Sequence, residues 1–460
     1  MTYQSVNPYD GAVLETFTPI SDTELDTALD TAQSCYETWR HTPFAQRRAV
    51  VARVAALMSE RSEPLARAVT LEMGKLLAEA RGEVALSADI VDYYAEHAEA
   101  FLAPEVLDPG TGSARVESTP TGVLFGVEPW NFPYYQLVRF AAPNIMAGNT
   151  VMVKHAGGVP RCAALFAQLW ADAGAPAGLY TNLVISYPQV DRVIDDARVV
   201  GVALTGSAEA GRAIAARAGA NLTKSTMELG GSDAFIVLED ADLDAAVRWA
   251  VWGKMNNTGQ CCVAAKRFIV VDEVADRFLD GFRAALDALV PGDPMDPATT
   301  LGPLSSEAAA VGLVAQVDAA LAHGAKALIG GHRIDRPGAF VEATILTDVE
   351  PTNPAFREEF FGPVALFFRV ADEDAAIALA NDSDFGLGGS VFTADEARGA
   401  RVASAIDTGM VFVNHPTWTT PDLPFGGTKD SGYGRELSSV GITEFVNKKL
   451  VRVSTVDAPA

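Results

Sequence analysis

Two adjacent cysteines, Cys261 and Cys262, are the side chains in this sequence best suited to nucleophilic chemistry. They follow the turn-forming run Asn256–Gln260, which interrupts a helical pattern that begins near Leu243, and a β-prone segment comes next. A thiol at such a junction can reach a cleft. Free cysteines are more often buried and inert than reactive, so the residues alone leave that structural interpretation open.

A cysteine nucleophile needs a neighbour that favours its ionisation, and it needs donors for the oxygen that becomes negative when it attacks a carbonyl. Glu228 precedes two glycines, at positions 230 and 231, where a backbone can approach a ligand closely. Asn131 stands between aromatic residues and prolines in the run Pro129–Pro133. A surface carboxylate before a turn and an amide in a packed aromatic turn are the structural alternatives.

A third motif has the order of elements that suits a phosphate. The β-prone run Val199–Leu204 leads into a turn from Gly206 to Gly211 and then into a predicted helix. A helix N-terminus attracts phosphate through its free N–H groups and its dipole. The spacing is Gly-x4-Gly rather than the dinucleotide pattern Gly-x-Gly-x-x-Gly, so a plain βα turn also explains it.

Composition limits the kinds of protein that can carry these motifs. The chain has 460 residues, a formal net charge of −24 and 49% hydrophobic residues. The acidic charge argues against nucleic-acid grooves and polybasic membrane patches, and the hydrophobic content is that of a globular protein. We find no secretory pattern and no uninterrupted apolar stretch of about 18 residues, so we expect neither secretion nor membrane insertion. Four cysteines fit a reducing cytoplasm, and scattered histidines predict no structural zinc.

Helix and strand patterns divide the chain into a helical start and two α/β series. The run Ser21–Glu24 is a capping box, and residues 43–102 have the composition of several helices. Strands that alternate with helices are predicted at Gly122–Val127, Thr150–Val153, Asn182–Ile185, Val199–Leu204, Ala234–Leu238, Phe268–Val271, Ala327–Ile329 and Val364–Val370. The alternation predicts two doubly wound α/β domains that meet near Gly230.

In this order, the motifs resemble those of the aldehyde dehydrogenase superfamily over nearly the whole chain. The resemblance includes Lys154 after the asparagine motif, Glu359 in Glu358–Pro363, and the C-terminal run Pro424–Glu436. It implies a cofactor-binding domain, a catalytic domain and a small β oligomerisation arm, in a homodimer or homotetramer. The implied boundaries are 1–113 and 134–230 for the cofactor domain, 231–435 for the catalytic domain, and 114–133 with 436–460 for the arm, whose hairpin lies near 114–127.

The resemblance also implies a mechanism. The family pattern Gly-Gln-x-Cys makes Cys262 the nucleophile and Cys261 its variable neighbour. The Asn131 side-chain amide and the Cys262 backbone N–H hold the oxyanion, hydride passes to a nicotinamide, and Glu228 then activates water. A glutamate in that role favours hydrolysis of the thioester over transfer of the acyl group to coenzyme A.

Two sets of binding residues follow by likeness to the family. The coenzyme is expected to contact Trp130, Lys154, Gly157, Gly206, Ser207, Gly211, Leu229, Glu359 and Phe361. The substrate is expected to contact Arg139, Tyr135, Trp418, Thr419 and Phe425.

The amino-acid sequence around Glu228 and Cys262 is similar to that of bacterial succinate-semialdehyde dehydrogenases. Arg139 follows the asparagine motif where members acting on semialdehyde acids carry an arginine for the distal carboxylate. An arginine that bridges the core is the structural alternative. Some of these enzymes carry a second arginine six residues before the nucleophile, and Asn256 occupies that place here. The alternatives are a broad aliphatic or aromatic aldehyde dehydrogenase and a catalytically silent binding protein.

The expected coenzyme is NADP, with NAD also used. Members that prefer NAD often carry a glutamate three residues after the ribose lysine, where it repels a 2′-phosphate. This chain has Gly157 at that position, and Lys154 is available to pair with the phosphate.

Overall fold

The computed structural model of the chain describes residues 3–454 and residue 456. Its helices are α1 Asp22–Trp39, α2 Phe44–Glu60, α3 Ser62–Met73, α4 Leu77–Phe101, α5 Pro133–Ala147, α6 Pro160–Asp172, α7 Tyr187–Asp195, α8 Ala208–Ala220, α9 Leu243–Met255, α10 Asp272–Asp287, α11 Glu307–Ala322, α12 Glu373–Asn381, α13 Glu396–Ser404 and α14 Ser438–Gly441. Short 3-10 helices cover Asn256–Gly259 and Pro354–Phe356.

The strands are β1 Tyr3–Val6, β2 Val13–Phe17, β3 Glu105–Leu107, β4 Ser113–Pro120, β5 Val123–Glu128, β6 Thr150–His155, β7 Tyr180–Asn182, β8 Val199–Thr205, β9 Lys224–Glu228, β10 Asp233–Val237, β11 Ala265–Val271, β12 Lys326–Ile329, β13 Thr344–Thr347, β14 Val364–Val370, β15 Phe385–Gly386, β16 Gly389–Phe392, β17 Phe412–Val413, β18 Thr428–Lys429, β19 Gly432–Tyr433 and β20 Val446–Val453. The predicted strand 182–185 is wrong in position, because β7 ends at Asn182 where its pairing with β6 ends.

A six-stranded sheet carries the first α/β series, in the order β19-β9-β8-β5-β6-β7. Its strands are parallel except for the edge strand β19. Val123 and Phe125 contribute to one buried apolar cluster and Leu124 to another, as expected when successive side chains point to opposite faces. Helices therefore cover both faces, and the predicted doubly wound fold is confirmed.

A seven-stranded sheet carries the second series, in the order β12-β13-β14-β11-β10-β16-β17. Only β12 in this sheet runs antiparallel to its neighbour. The strands β10 and β11 are buried along their whole length, which accounts for their nearly continuous apolar sequence. The step from the first sheet to the second falls between β9 and β10, at Gly230–Gly231.

A third sheet, which we call the arm, consists of β3, β4 and β20 paired antiparallel. The predicted arm segment 114–133 is too long. Its second half forms β5, which pairs with β6 and β8 in the middle of the six-stranded sheet. Its hydrophobic sequence suits a strand buried between two helical layers rather than an exposed hairpin.

The N-terminal capping box is confirmed. The Ser21 hydroxyl accepts a hydrogen bond from the Glu24 backbone N–H, and the Glu24 carboxylate accepts one from the Ser21 N–H at 2.7 Å. Among the described residues, no helix combines the length and apolarity needed to cross a bilayer.

His155, at the end of β6, connects the sheet to the turn that carries Asn131. Its Nδ1 lies 3.0 Å from the Ala156 nitrogen and 3.2 Å from the Glu128 carbonyl oxygen, and its Nε2 lies 3.1 Å from the Pro133 carbonyl oxygen. Burial lowers the pKa of His155 to about 4.

We expect this histidine to make the fold sensitive to acid. Because its folded pKa lies below the unfolded value of about 6.5, its contribution to stability is present above pH 6.5 and is lost as the pH falls towards 4. Between pH 7.5 and pH 5, the free energy of unfolding of the natural chain should fall by about 2 kcal/mol more than that of His155→Gln. Urea unfolding at several pH values measures this difference, and parallel pH profiles for the two proteins would contradict the assignment.

Candidate active site

Hydrogen bonds from side-chain amides to backbone carbonyls join the turn that carries Asn131, which we call the asparagine turn, to the turn Asn257–Cys262, which we call the cysteine turn. Asn131 lies between the end of β5 and the start of α5, where Pro133 occupies the first helical turn. Its buried Nδ2 donates to the Gln260 carbonyl at 3.2 Å, and Asn257 Nδ2 donates to the Asn131 carbonyl at 2.8 Å. The two turns thus fix each other across the boundary between the sheets.

The cysteine turn itself has an unusual backbone. Asn257 and Thr258 have φ of 54° and 55°, and Gly259 has φ of 76°, all in the left-handed region that L side chains disfavour. At Gly259, a Cβ would lie 2.2 Å from the Gly362 carbonyl oxygen, so only glycine fits. The Asn257 N–H donates to Glu79 at 3.1 Å, and this bond helps to hold the conformation.

Cys262 lies where two cavities meet. The larger, of about 260 Å³, is lined by Pro129, Trp130, Asn131, Gln136, Thr205, Gly206, Ser207, Leu229, Gly230, Cys262, Glu359 and Phe361. The smaller, of about 20 Å³, is lined by Leu86, Phe132, Tyr135, Gln136, Cys261, Cys262, Val263, Trp418, Thr419 and Phe425. Of the two thiols, Cys262 therefore faces both spaces, whereas Cys261 is 6% exposed and lines the smaller one.

The surroundings of Cys262 favour the protonated thiol. A hydrogen bond with the Cys261 thiol and then burial raise the pKa of Cys262 well above its ordinary value. The positive charges of Arg139 and Lys266 act in the opposite direction. Nucleophilic attack therefore needs a proton acceptor or a change in these surroundings when ligands bind.

Glu228 ends β9 and is 4% exposed. Neither carboxylate oxygen has a hydrogen-bond partner among the described residues. Burial raises the pKa of Glu228 well above its ordinary value, although Arg139 lowers it. A Cβ at Gly426 would lie 2.7 Å from Oε1, so the carboxyl group points towards the C-terminal segment and away from the large cavity.

Most of the predicted coenzyme residues lie together. The larger cavity brings together six of them, namely Trp130, Gly206, Ser207, Leu229, Glu359 and Phe361. Gly211 lies behind the wall of this cavity. A Cβ at Gly211 would be 2.6 Å from the side chain of Leu229, so the glycine leaves space for that leucine. Ser207 caps α8, since its Oγ accepts from the Ala210 N–H at 3.2 Å.

Lys154 and Gly157 lie apart from the larger cavity and next to the N-terminal strand. The buried Lys154 Nζ is 5.6 Å from the ring centre of Tyr3 and 5.3 Å from that of Tyr187. A Cβ at position 157 would lie 2.3 Å from the Tyr3 ring. Gly157 is thus needed to admit Tyr3, a contact that spacing in the sequence does not reveal.

Glu359 is held in place by a residue that the sequence analysis missed. Lys266 Nζ lies 2.9 Å from Glu359 Oε1, and the Gly231 N–H donates to the same oxygen at 3.0 Å. Lys266 also donates to the carbonyls of Cys261 and Cys262. Gln136 was missed as well, although it lines both cavities. Its position on α5, five residues after Asn131, was the available signal.

Of the predicted substrate residues, Tyr135, Trp418, Thr419 and Phe425 line the smaller cavity. The Tyr135 hydroxyl donates to Thr419 Oγ1 at 2.9 Å, so one pair of hydroxyls interrupts an otherwise aromatic wall. Trp418 packs edge to face on Trp252, with ring centres 4.8 Å apart.

The prediction that Arg139 directly binds a carboxylate does not agree with this geometry. Arg139 is 1% exposed and lines neither cavity. Its guanidinium pairs with Glu436 and donates to the Tyr135 hydroxyl at 3.2 Å and to Thr205 Oγ1 at 3.3 Å. The structure therefore agrees with the structural alternative, in which Arg139 bridges the core. Arg139 is connected to the smaller cavity through its hydrogen bond to the Tyr135 hydroxyl.

Known proteins are similar to this chain over nearly its whole length. The model of the Aldehyde dehydrogenase family matches residues 1–451. The chain is 52% identical over 450 residues to succinate-semialdehyde dehydrogenase [NADP(+)] of Deinococcus radiodurans, covering 98% of this chain and 94% of that protein. It is similar in structure to succinic semialdehyde dehydrogenase from Streptococcus pyogenes in complex with NADP+, with a TM-score of 0.97 and 46% identity, covering 98% of this chain and 100% of that one.

Proposed function

This chain belongs to the aldehyde dehydrogenase family, and from that membership we propose that it oxidises succinate semialdehyde to succinate with NADP as hydride acceptor. The observation that carries the proposal is the position of Cys262, which lines both the larger cavity and the smaller aromatic one. An aldehyde entering through the smaller cavity, which must widen to admit it, and a nicotinamide in the larger cavity would meet at this thiol. Relatives named for this reaction and this coenzyme support the choice of substrate.

The residues around the larger cavity fit a dinucleotide. Gly206 and Ser207 place the start of α8 at the cavity wall, where N–H groups and the helix dipole favour a phosphate. The Glu359 carboxylate lines the same cavity and is an acceptor for ribose hydroxyls. When bound, the oxidised nicotinamide would supply the site with an acceptor for hydride.

Each reacting atom then has a candidate protein partner. Glu228 is the candidate acceptor of the thiol proton and passes it on to solvent. The Cys262 sulfur then adds to the aldehyde carbon and forms a thiohemiacetal anion, whose oxygen accepts from the Asn131 amide and the Cys262 N–H. For this task, Asn131 Nδ2 must leave the Gln260 carbonyl to which it now donates. Loss of hydride converts the thiohemiacetal into a thioester on the same sulfur.

Glu228 is the candidate base for hydrolysis of that thioester. Its raised pKa makes its carboxylate a stronger base than an ordinary glutamate, which suits a group that takes a proton from water. The carboxyl group must turn from Gly426 into the cavity to reach a water near Cys262, and no hydrogen bond among residues 3–454 and 456 opposes the turn.

NADP is the expected coenzyme because the chain places no acidic side chain at Gly157 to repel a 2′-phosphate. The Lys154 ammonium is the candidate partner of that phosphate. Burial lowers the pKa of Lys154, so a phosphate would also stabilise its charged form. NAD should bind as well, since nothing in this pairing excludes a ribose hydroxyl.

A distal carboxylate would be recognised through the hydroxyls of Tyr135 and Thr419. Arg139 lies one hydrogen bond behind Tyr135, and its charge polarises the tyrosine hydroxyl towards an anion. We thus propose a supporting role for Arg139. The aromatic lining favours, as a second candidate, the oxidation of uncharged aldehydes of similar length.

Tyr135→Phe separates the two substrate classes. Loss of the hydroxyl removes a hydrogen bond to a charged group, so KM for succinate semialdehyde should rise about tenfold. KM for butanal, which lacks the carboxylate, should change less than about twofold, since Phe preserves the aromatic wall. Initial rates of NADPH formation, measured by absorbance, give both values. An equal rise for both aldehydes would contradict recognition of the carboxylate, and absence of oxidation by the natural chain would contradict the proposed function itself.

We also propose that the chain self-associates through the arm, as a homodimer or homotetramer. Leu450 is 61% exposed and Leu107 is 38% exposed, and the strand register places both on one face of the arm. Exposed apolar groups on a small sheet are typical of an interface. A reducing cytoplasm is the proposed location, because all four cysteines are free and the reaction needs a reduced Cys262.

Leu450→Asp should weaken this assembly, since it places a charge in the apolar face. Light scattering after size-exclusion chromatography should show a multimer for the natural chain and a smaller mass for the variant. Lys449→Glu is the matched control, because the neighbouring side chain points to the opposite face of β20, and it should keep the natural mass. A monomeric natural chain would contradict the proposal.

A further inference from the structure

Lys266 makes three close contacts in the site, and the reaction outlined above uses none of them. It is the second residue of β11 and is fully buried. Its Nζ donates to the Cys261 carbonyl at 2.9 Å and to the Cys262 carbonyl at 2.8 Å, and it lies 2.9 Å from Glu359 Oε1. An ammonium has three N–H donors, so each of them has an acceptor.

We propose that Lys266 is a positioning residue that strengthens the oxyanion-binding N–H of Cys262. The Cys261 carbonyl and the Cys262 N–H belong to the same peptide group. A cation that binds the carbonyl oxygen withdraws electron density from that group, which makes its N–H a stronger donor. The inference rests on the proposed function, since it concerns the oxyanion formed at Cys262.

The second carbonyl contact fixes the direction of the same N–H. Bonds from one ammonium to the carbonyls of Cys261 and Cys262 hold two successive peptide groups on one side of the chain. This matters because the preceding turn, Asn257–Gly259, has a disfavoured left-handed backbone. An oxyanion hole is effective only when its donors are oriented before the reaction begins.

Lys266 carries its charge despite complete burial. Burial lowers its pKa, but the carboxylates of Glu359 and Asp233 outweigh that effect and raise the pKa of Lys266 above its ordinary value. Lys254 provides a contrast. It is also fully buried, but its Nζ lies 3.4 Å from the Phe360 carbonyl, and no bond to either cysteine is found among the described residues.

Two reagents that use the same thiol separate this role from a general effect on Cys262. Acylation by p-nitrophenyl acetate passes through an oxyanion, whereas alkylation by iodoacetamide does not. Neither reaction needs coenzyme, a distal carboxylate or hydride transfer. The ratio of the acylation rate to the alkylation rate therefore remains informative if the proposed substrate is wrong. Oxidation of succinate semialdehyde by the natural chain tests the proposed substrate separately.

In Lys266→Met, acylation should slow about tenfold more than alkylation, since complete removal of an oxyanion donor typically costs 100-fold or more and this variant only weakens one. Lys254→Met is the matched control and should leave the ratio of the two rates at its natural value. Equal slowing of both reactions in Lys266→Met, or no change in either, would overturn the proposal.

Glu359→Gln tests the same idea without leaving the lysine's pocket empty. The variant removes one of the two carboxylates that keep Lys266 charged, so the positive charge beside the Cys261 carbonyl should be lost at a lower pH than in the natural chain. The ratio of acylation to alkylation should therefore fall, as the pH is raised, at a lower pH in Glu359→Gln than in the natural chain. The same pH dependence of this ratio in both proteins would contradict the proposal, even if Lys266→Met fails to fold.

Discussion

The chemistry of this protein depends on a single turn that holds a thiol at the meeting point of two cavities. The turn runs from Asn257 to Cys262 and includes three successive residues with positive φ. Such a backbone is unfavourable by itself and persists only where its surroundings over-determine it. Here, Asn131 and Glu79 bond to the turn from the first half of the chain, and Lys266 bonds to it from the strand that follows.

Buried charge is the second constraint. Glu228 and Glu436 both face the guanidinium of Arg139 in a region that is almost closed to solvent. The guanidinium carries a single positive charge, and it pairs directly with Glu436. Within the part of the chain that the structure describes, Glu228 has no hydrogen-bond partner, and burial raises its pKa, which makes its carboxylate a stronger base than an ordinary glutamate. The ion pair with Glu436 thus explains why Arg139 lies behind the substrate cavity, and burial explains the raised pKa of Glu228.

Local patterns in the sequence identified the central strands of both sheets and misplaced the edge strand β7, because parallel strands buried on both faces have near-continuous apolar sequences. The preference for Cys262 over Cys261 came from likeness to a family, and the cavities give it a geometric basis. Contacts between distant segments could not be predicted. Tyr3 against Gly157, Lys266 under the cysteine turn and Glu436 on Arg139 each join elements whose approach depends on the whole fold. The direction of the Glu228 side chain also depends on burial that no local spacing encodes.

The most direct test is to identify the atom that carries the acyl group during turnover. Glu228→Gln keeps the size of the side chain but removes the base, so the thioester should accumulate when succinate semialdehyde and NADP are added. Mass spectrometry of the quenched protein should locate a succinyl group on Cys262 and none on Cys261. A succinyl group on Cys261, or a natural rate of turnover in Cys262→Ser, would contradict the account.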